Sequence, residues 1–450
     1  MIINEKIYNM GEAPIGTLLL KMSGPAMFSM IIQALYNIVD SIFVAQIGED
    51  ALTAVSIIYP IQMLMIAFAV GTGIGINSLI SRKLGAGMNE DASKAANSGL
   101  KLGILNWIIF VLLGIFGSTG FVNMFSKHEN IISWGIDYMR IVTICSLFAM
   151  LSILIEKILQ STGNMKDPMI IIVVGAVINI VLDPILIFGY FGFPALKVAG
   201  AAIATITAQF AAFVLAFYML KKDMSSFQIK FFARKIDKNS VKDIYKVGLP
   251  AILMQAMWSL TMFGINGILA GFSKTAIAVM GIYNKLQIFA MMPVFGINQG
   301  ALPLIGYNYG ADNKKRLKKV YVLAVLFAVG VMFVSFIWVQ CFSEEILYLF
   351  NGKKSMISIG VPALKTLSIC FLPAGFGIIS AAFFQGTNHG MIAFRGAVIR
   401  QLLGILVLTL ILGRIWGLSG IWWAFPLADI IGTAYYVLIL DKNKKEFFID

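Results

Sequence analysis

The stretch PMIIIVVGAVINIVLDPILIFGY (168–190) decides how the rest of the chain is read. Its 23 residues carry a single charge, Asp183, and no alternation of period two. A helix rises about 1.5 Å per residue and a bilayer core is about 30 Å thick, so an apolar run of this length crosses a membrane. A strand would need apolar and polar residues in turn, and that pattern is missing. Eleven further runs surround it, at 22–46, 52–81, 98–122, 135–160, 198–220, 247–271, 276–305, 320–342, 357–385, 391–413 and 416–440. The expected fold is an all-α polytopic membrane protein with twelve transmembrane helices. Composition agrees: 59% of the 450 residues are hydrophobic and 13% charged, where soluble domains average roughly 45–50% and 25%.

The charges are sorted along the chain. With 35 Lys and Arg against 22 Asp and Glu the net charge is +13, which in a soluble chain would raise nucleic acid as a partner. Here 26 of the bases fall at the N-terminus, at the C-terminus and around the loops after even-numbered spans. Six fall in the opposite loops and three, Arg140, Lys285 and Lys365, inside spans away from that side, while Lys101, Lys157, Arg395 and Arg400 of the 26 fall within span bounds in their cytoplasmic halves. Bases collect on the cytoplasmic side, so both termini are expected there, in a multi-pass protein of the cell membrane, and nucleic acid is not expected as a partner. Residues 1–16 lack an apolar stretch of signal-peptide type. The longest polar connection, 221–246, is basic and joins a first bundle (1–220) to a second (247–450).

Several chemistries are excluded. Three Cys and two His offer neither a disulfide framework nor a metal cage. No G-x-x-x-x-G-K-[ST] run is present, so no ATP hydrolysis is expected, and because no second catalytic motif accompanies Asp40 and Asp183, no enzymatic activity is expected either. Gly71-Thr-Gly73-Ile-Gly75 follows no strand and reads as close helix packing rather than a dinucleotide fingerprint. No cofactor is expected.

A shift of 225 residues superposes the two halves. Pro25-Ala26 falls on Pro250-Ala251, Gln62 on Gln287, Gly71 and Gly75 on Gly296 and Gly300, Cys145 on Cys370, and Thr162 on Thr387. Beyond a gap of five, Gly200 and Ala204 meet Gly420 and Ala424. Six spans repeated as six give two bundles related by a pseudo-two-fold axis along the membrane normal, a plan that recurs among alternating-access transporters.

These residues also carry a family resemblance. Pro25 through Asp40, GTGIGINSLISRKLGAG (71–87), NIVLDPILIFGYFG (179–192), VAGAAIAT (198–205) and PLIGYNYGA (303–311) resemble the multidrug and toxic compound extrusion (MATE) transporters over nearly the full length. Within that family the chain is most similar to the MepA-like bacterial members, which share an acidic residue at Glu156. The resemblance implies efflux of amphipathic organic cations in exchange for H⁺ or Na⁺, by a chain acting as a monomer. It places the cation or proton site at Asp40, Asn179, Asp183 and Thr205, with Tyr138 at its border.

The residues support that reading independently. A carboxylate at mid-bilayer costs about 2.5–3.5 kcal/mol on insertion scales. Only Asp40, Asp137, Glu156, Asp183 and Asp429 fall inside the spans, and the repeat equivalents of Asp40, Glu156 and Asp183 are Ile265, Ala381 and Leu408. Ion handling is therefore expected in the first half. Asp40, Asp183 and Thr205 each lie six or seven residues from the outer end of a different span, roughly 10 Å deep. Asn179 shares a helix face with Asp183, four residues on, and Asn37 likewise precedes Asp40 by three. Structural hydrogen bonding is the competing role for each. Asp137 and Arg140 read as a structural pair, and Asp429 stands isolated in the last span.

Glu156 lies nearer the cytoplasmic end and is expected to meet cationic substrate, with Gln33, Met257 and Met291 as further substrate-binding residues; a salt bridge to a loop is its alternative. Lys285 sits deep in the eighth span, either as an ion-pair partner or as a substrate-cavity group. The competing function is a flippase for a lipid-linked saccharide or other lipid precursor.

Overall fold

The computed structural model describes residues 10–223, 236–350 and 353–449, and among them every regular element is helical. Residues 224–235 of the expected linker lie outside the described residues. The helices are α1 (Ile15–Ile47), α2 (Glu49–Gly85), α3 (Asn89–Phe125), α4 (Glu129–Ile144), α5 (Leu147–Ser161), α6 (Lys166–Phe188) and α7 (Lys197–Asp223). They continue with α8 (Lys238–Ala270), α9 (Lys274–Gly310), α10 (Lys314–Leu349), α11 (Lys354–Ser368), α12 (Phe371–Gly386), α13 (Gly390–Lys442) and a short α14 (Lys444–Phe448).

The repeat is visible in the helix ends. Helix α2 and helix α9 begin at 49 and 274 and end at 85 and 310, both 225 residues apart. The fourth expected span is a bent pair, α4 and α5 at 43°, and so is the tenth, α11 and α12 at 42°. Each bend sits at one of the aligned cysteines, Cys145 and Cys370. Helix α13 runs for 53 residues, about 80 Å and too long for one crossing. Gly417 breaks it, with φ 61° and ψ −141°, a conformation that side chains other than glycine's rarely adopt. With that break and the two bends, the helices make twelve spans.

The helices pack as two compact units, residues 28–252 and residues 10–27 with 253–449. Helix α1 passes from the second unit to the first after Met27, and α8 from the first to the second after Ile252. Each change falls two residues past an aligned proline, Pro25 or Pro250. Within the first unit the glycines of α2 meet the start of α8. A Cβ on Gly71 would lie 2.7 Å from the Ile252 nitrogen, and one on Gly75 2.2 Å from the Ile244 carbonyl. Within the second unit Gly296 and Gly300 of α9 meet Met27 and Ser23 of α1 in the same way. These glycines serve close helix packing.

Large apolar side chains line the outer surface. Phe116 and Phe263 are about 80% exposed (79% and 82%), which a lipid environment favours and water does not. Small residues draw the α6–α7 hairpin together: a Cβ on Gly200 would stand 2.3 Å from the Leu186 carbonyl.

Candidate functional site

Five helices of the first unit bring their polar side chains to one place. Helix α6 contributes Asn179 and Asp183, one turn apart on a single face, both buried. Pro184, directly after Asp183, lacks an N–H, so the ladder loses its bond to the Ile180 carbonyl at this level. Helix α7 contributes Thr205, also buried. The Asn179 amide is best satisfied with its nitrogen donating to Asp183 Oδ2 at 2.9 Å and its oxygen accepting from the Thr205 backbone N–H at 3.2 Å. Amide orientation is assigned from such partners.

Helix α1 supplies Asp40 and Tyr36, again one turn apart. The Asp40 carboxyl faces the Asp183 carboxyl, and the Tyr36 hydroxyl stands beside both carboxyls and the Thr205 side chain. Tyr138 of α4 is buried beside Asp40 and Tyr36, and its hydroxyl accepts from Gln62 Nε2 of α2 at 3.2 Å. The cluster is thus a pair of carboxyl groups ringed by neutral oxygens. That set suits a shared proton or a small hard cation, which favours oxygen ligands.

The structure brings together Asp40, Asn179, Asp183, Thr205 and Tyr138, and it adds Tyr36 and Gln62, which sequence reasoning passed over. Tyr36, four residues ahead of Asp40, takes the part expected of Asn37, whose side chain is exposed. Gln62 carried a signal in its repeat partner, Gln287. Gln33 lies on the exposed side of α1.

Glu156 is apart from this cluster. It is buried on α5 and accepts from Ser152 Oγ at 3.3 Å, while Lys157 donates to Gln160 at 2.9 Å. Met257 and Met291 are buried within the second unit. Lys285 is exposed, and its ammonium stands 5.5 Å from the Phe350 ring centroid, a cation–π contact reached by extending along α9.

Two expectations are corrected. Asp429 is not isolated: Arg400 donates to its carboxylate through Nε at 2.5 Å and Nη2 at 3.5 Å. Arg400, counted among the cytoplasmic bases, lies in the π-helical segment Ile399–Leu406 inside α13. The extra residue per turn there displaces it from the position that simple helical counting assigns. Asp137 and Arg140 do not pair among the described residues; Arg140 Nε donates to Ser118 Oγ at 3.1 Å. The π-helical segment Leu113–Gly117 leads directly into Ser118.

Comparison with known proteins agrees with this architecture. The MatE family model matches twice, at residues 25–185 and 250–410, with both pairs of ends 225 apart. A multidrug export protein MepA from Staphylococcus aureus (strain MSSA476) is 28% identical over 454 residues, covering 99% of this chain and 98% of its own. The corresponding protein of Staphylococcus saprophyticus is 26% identical with the same coverage. A solved structure described as the outward-facing conformation of a multidrug resistance MATE family transporter aligns over 97% of this chain and 98% of its own, with a TM-score of 0.89 and 25% identity. Two family matches in tandem, full-length relatives and a shared twelve-helix fold lead to one conclusion: the chain belongs to the MatE family of membrane transporters.

Proposed function

We propose that the chain is a secondary active efflux antiporter of the cell membrane, exporting amphipathic organic cations in exchange for H⁺ or Na⁺ by alternating access. The full-length relatives named multidrug export protein support the cargo class. The facing carboxyl groups of Asp40 and Asp183, buried among neutral oxygens, carry the coupling reading. The distribution of bases supports cytoplasmic termini.

The mechanism follows from charge. A proton or Na⁺ arriving from outside joins the Asp40 and Asp183 carboxyls, and α1 stays docked on α6. Removing the cation leaves two like charges at contact, a repulsion on the order of 4 kcal/mol at an effective dielectric of 20. Helix α1 then favours an arrangement in which water reaches both carboxylates. The cation binds the two arrangements unequally, which is the condition for it to drive the change. Asn179 and Thr205 hold Asp183 in place, and Tyr36 of α1 stands beside them. Glu156 is assigned to attract cationic substrate, with Gln33, Met257 and Met291 as further contacts.

The test is dye efflux from proteoliposomes, with proton and sodium gradients imposed separately. One gradient is expected to drive efflux, and Asp40→Asn or Asp183→Asn to reduce it to the protein-free level. Undiminished efflux in both variants overturns the coupling assignment.

A further inference from the structure

The second unit buries an ion pair that the coupling cluster does not use. Asp429 stands twelve residues past Gly417 and thirteen before Lys442, midway along the second arm of α13. Its side chain is 2% exposed and that of Arg400, on the first arm, 21%. The other titratable groups facing the pair are Tyr283, Cys370 and Tyr436, with the Tyr283 hydroxyl 2.9 Å from Cys370 Sγ. The pair is therefore a carboxylate satisfied by one built-in cation.

The repeat says what this pair corresponds to. At the offset of 225, Arg400 falls on Gly175, Gly404 on Asn179 and Leu408 on Asp183. At the offset of 220 that holds past the gap, Phe425 falls on Thr205 and Gly432 on Ala212. Packing agrees with that register. In the first unit a Cβ on Gly175 would lie 3.3 Å from the Ala212 Cβ; in the second, one on Gly432 would lie 3.1 Å from the Arg400 Cβ. The crossing is the same, and the glycine has changed helix to make room for arginine. Where the first unit holds Asn179, Asp183 and Thr205, the second is closed by apolar packing: a Cβ on Gly404 would meet the Ala428 Cβ at 2.7 Å. The carboxylate reappears one turn from the Asn179–Thr205 level and two turns, roughly 12 Å, from that of Asp183. Arg400 stands four residues before the counterpart of Asn179 and Asp429 four after that of Thr205. The π-helical segment around Arg400 marks the same place, and such segments gather at functional positions.

We infer that Arg400 is a tethered cation: its guanidinium supplies permanently, between the fifth and sixth spans of the second unit, the positive charge that a mobile cation brings to Asp183 between those spans of the first. Covalent attachment makes its local concentration far higher than that of any free ion. The second unit accordingly keeps its carboxylate neutralised throughout the cycle. Resting on the coupling proposed above, this confines ion-driven movement to the first unit, with one coupling site per chain.

Removing the tether should expose a monovalent-cation site. The experiment follows thermal unfolding of the purified full-length transporter carrying Asp40→Asn and Asp183→Asn, with and without Arg400→Ala, during titration with Na⁺ or guanidinium and with choline as the control. With Arg400→Ala a saturable rise in Tm of about 2–6 °C is expected from Na⁺ or guanidinium and not from choline. No such rise is expected with Arg400 present, or in Arg400→Ala/Asp429→Ala. Arg400→Lys, which restores a tethered charge, should again be insensitive. A flat response of folded Arg400→Ala overturns the assignment. So does failure to recover that variant folded in either cation when Arg400→Ala/Asp429→Ala folds, or when neither does and Arg400→Lys folds. Because the coupling carboxylates are neutralised throughout, a negative result here leaves the proposed antiport standing. A negative efflux result, in turn, leaves the tethered cation standing.

Discussion

The carboxyl groups of Asp40 and Asp183, 143 residues apart in the chain, face one another between α1 and α6. On the coupling proposed above, a proton or small cation held between them joins two helices. Asp183 is held from behind by the Asn179 amide, itself bonded to Thr205 of α7, so α6 and α7 form a firm platform. Helix α1 meets that platform at Asp40 and at Tyr36, whose hydroxyl stands beside Thr205. A change of charge at the carboxyl pair acts on the seam between α1 and the α6–α7 hairpin.

Tyr36→Phe removes the hydroxyl that stands beside Asp40, Asp183 and Thr205 and leaves the carboxyl groups intact. A net hydrogen bond is worth about 0.5–1.5 kcal/mol, so the coupling-cation concentration at half-maximal efflux should rise about 2- to 10-fold. Thr205→Val should do the same. Unchanged cation dependence in both variants would remove them from the site.

Glu156→Gln keeps a partner for Ser152 Oγ and deletes the charge. If Glu156 binds cationic substrate, KM for a monovalent cationic dye should rise about tenfold, the value of a charge-assisted contact, with its cation dependence unaltered. Equal KM values for every cationic dye tried would assign Glu156 a structural role.

Gly200→Ala places a methyl group 2.3 Å from the Leu186 carbonyl. Overpacking of this kind costs about 1–3 kcal/mol. Because α6 and α7 carry Asn179, Asp183 and Thr205, both Tm and cation affinity should fall. The repeat equivalent Gly420→Ala, against the Leu412 carbonyl, should lower Tm while leaving cation affinity unchanged. A matching loss of affinity in Gly420→Ala would show that the effect is general loosening.

Asp237 caps α8. The Ser240 hydroxyl and N–H donate to its Oδ2 at 2.6 and 2.9 Å, and these bonds, the hydroxyl's first, hold its carboxyl below the usual range. A lowered folded-state value means that the contribution is complete above about pH 4 and is lost as pH falls through the lowered value. Asp237→Ala should weaken the first turn of α8 by about 1 kcal/mol at neutral pH, read as roughly fivefold faster amide exchange there. Asp237→Asn should exchange nearly as the parent does, and equal exchange in Asp237→Ala would refute the cap.

Much of the site was legible because charge in an apolar run is costly. Asp40 and Asp183 stand out for that reason, and the period of the helix adds Asn179. Neutral polar groups give a weaker signal, since their burial costs less. Tyr36 and Gln62 were missed on that account, although helical spacing in one case and the repeat in the other pointed at them. The Arg400–Asp429 pair was missed for a different reason. A π-helical segment shifts Arg400 relative to the simple helical count, and no local pattern foretells which residue 29 positions away will face it.

By itself the sequence determined the twelve spans, the tandem repeat, and the half of the molecule in which unpaired carboxyl groups are held. Those features follow from hydrophobicity and length, which are properties of single segments. Tertiary structure alone decided which carboxyl meets which partner: Asp183 faces Asp40, whereas Asp429 faces Arg400. It also decided that α1 and α8 each divide between two packed units next to an aligned proline. Such pairings depend on helix rotation, bends and π-helical turns summed over many residues, and a few degrees at each step determine whether a buried charge finds a proton, an ion or a guanidinium.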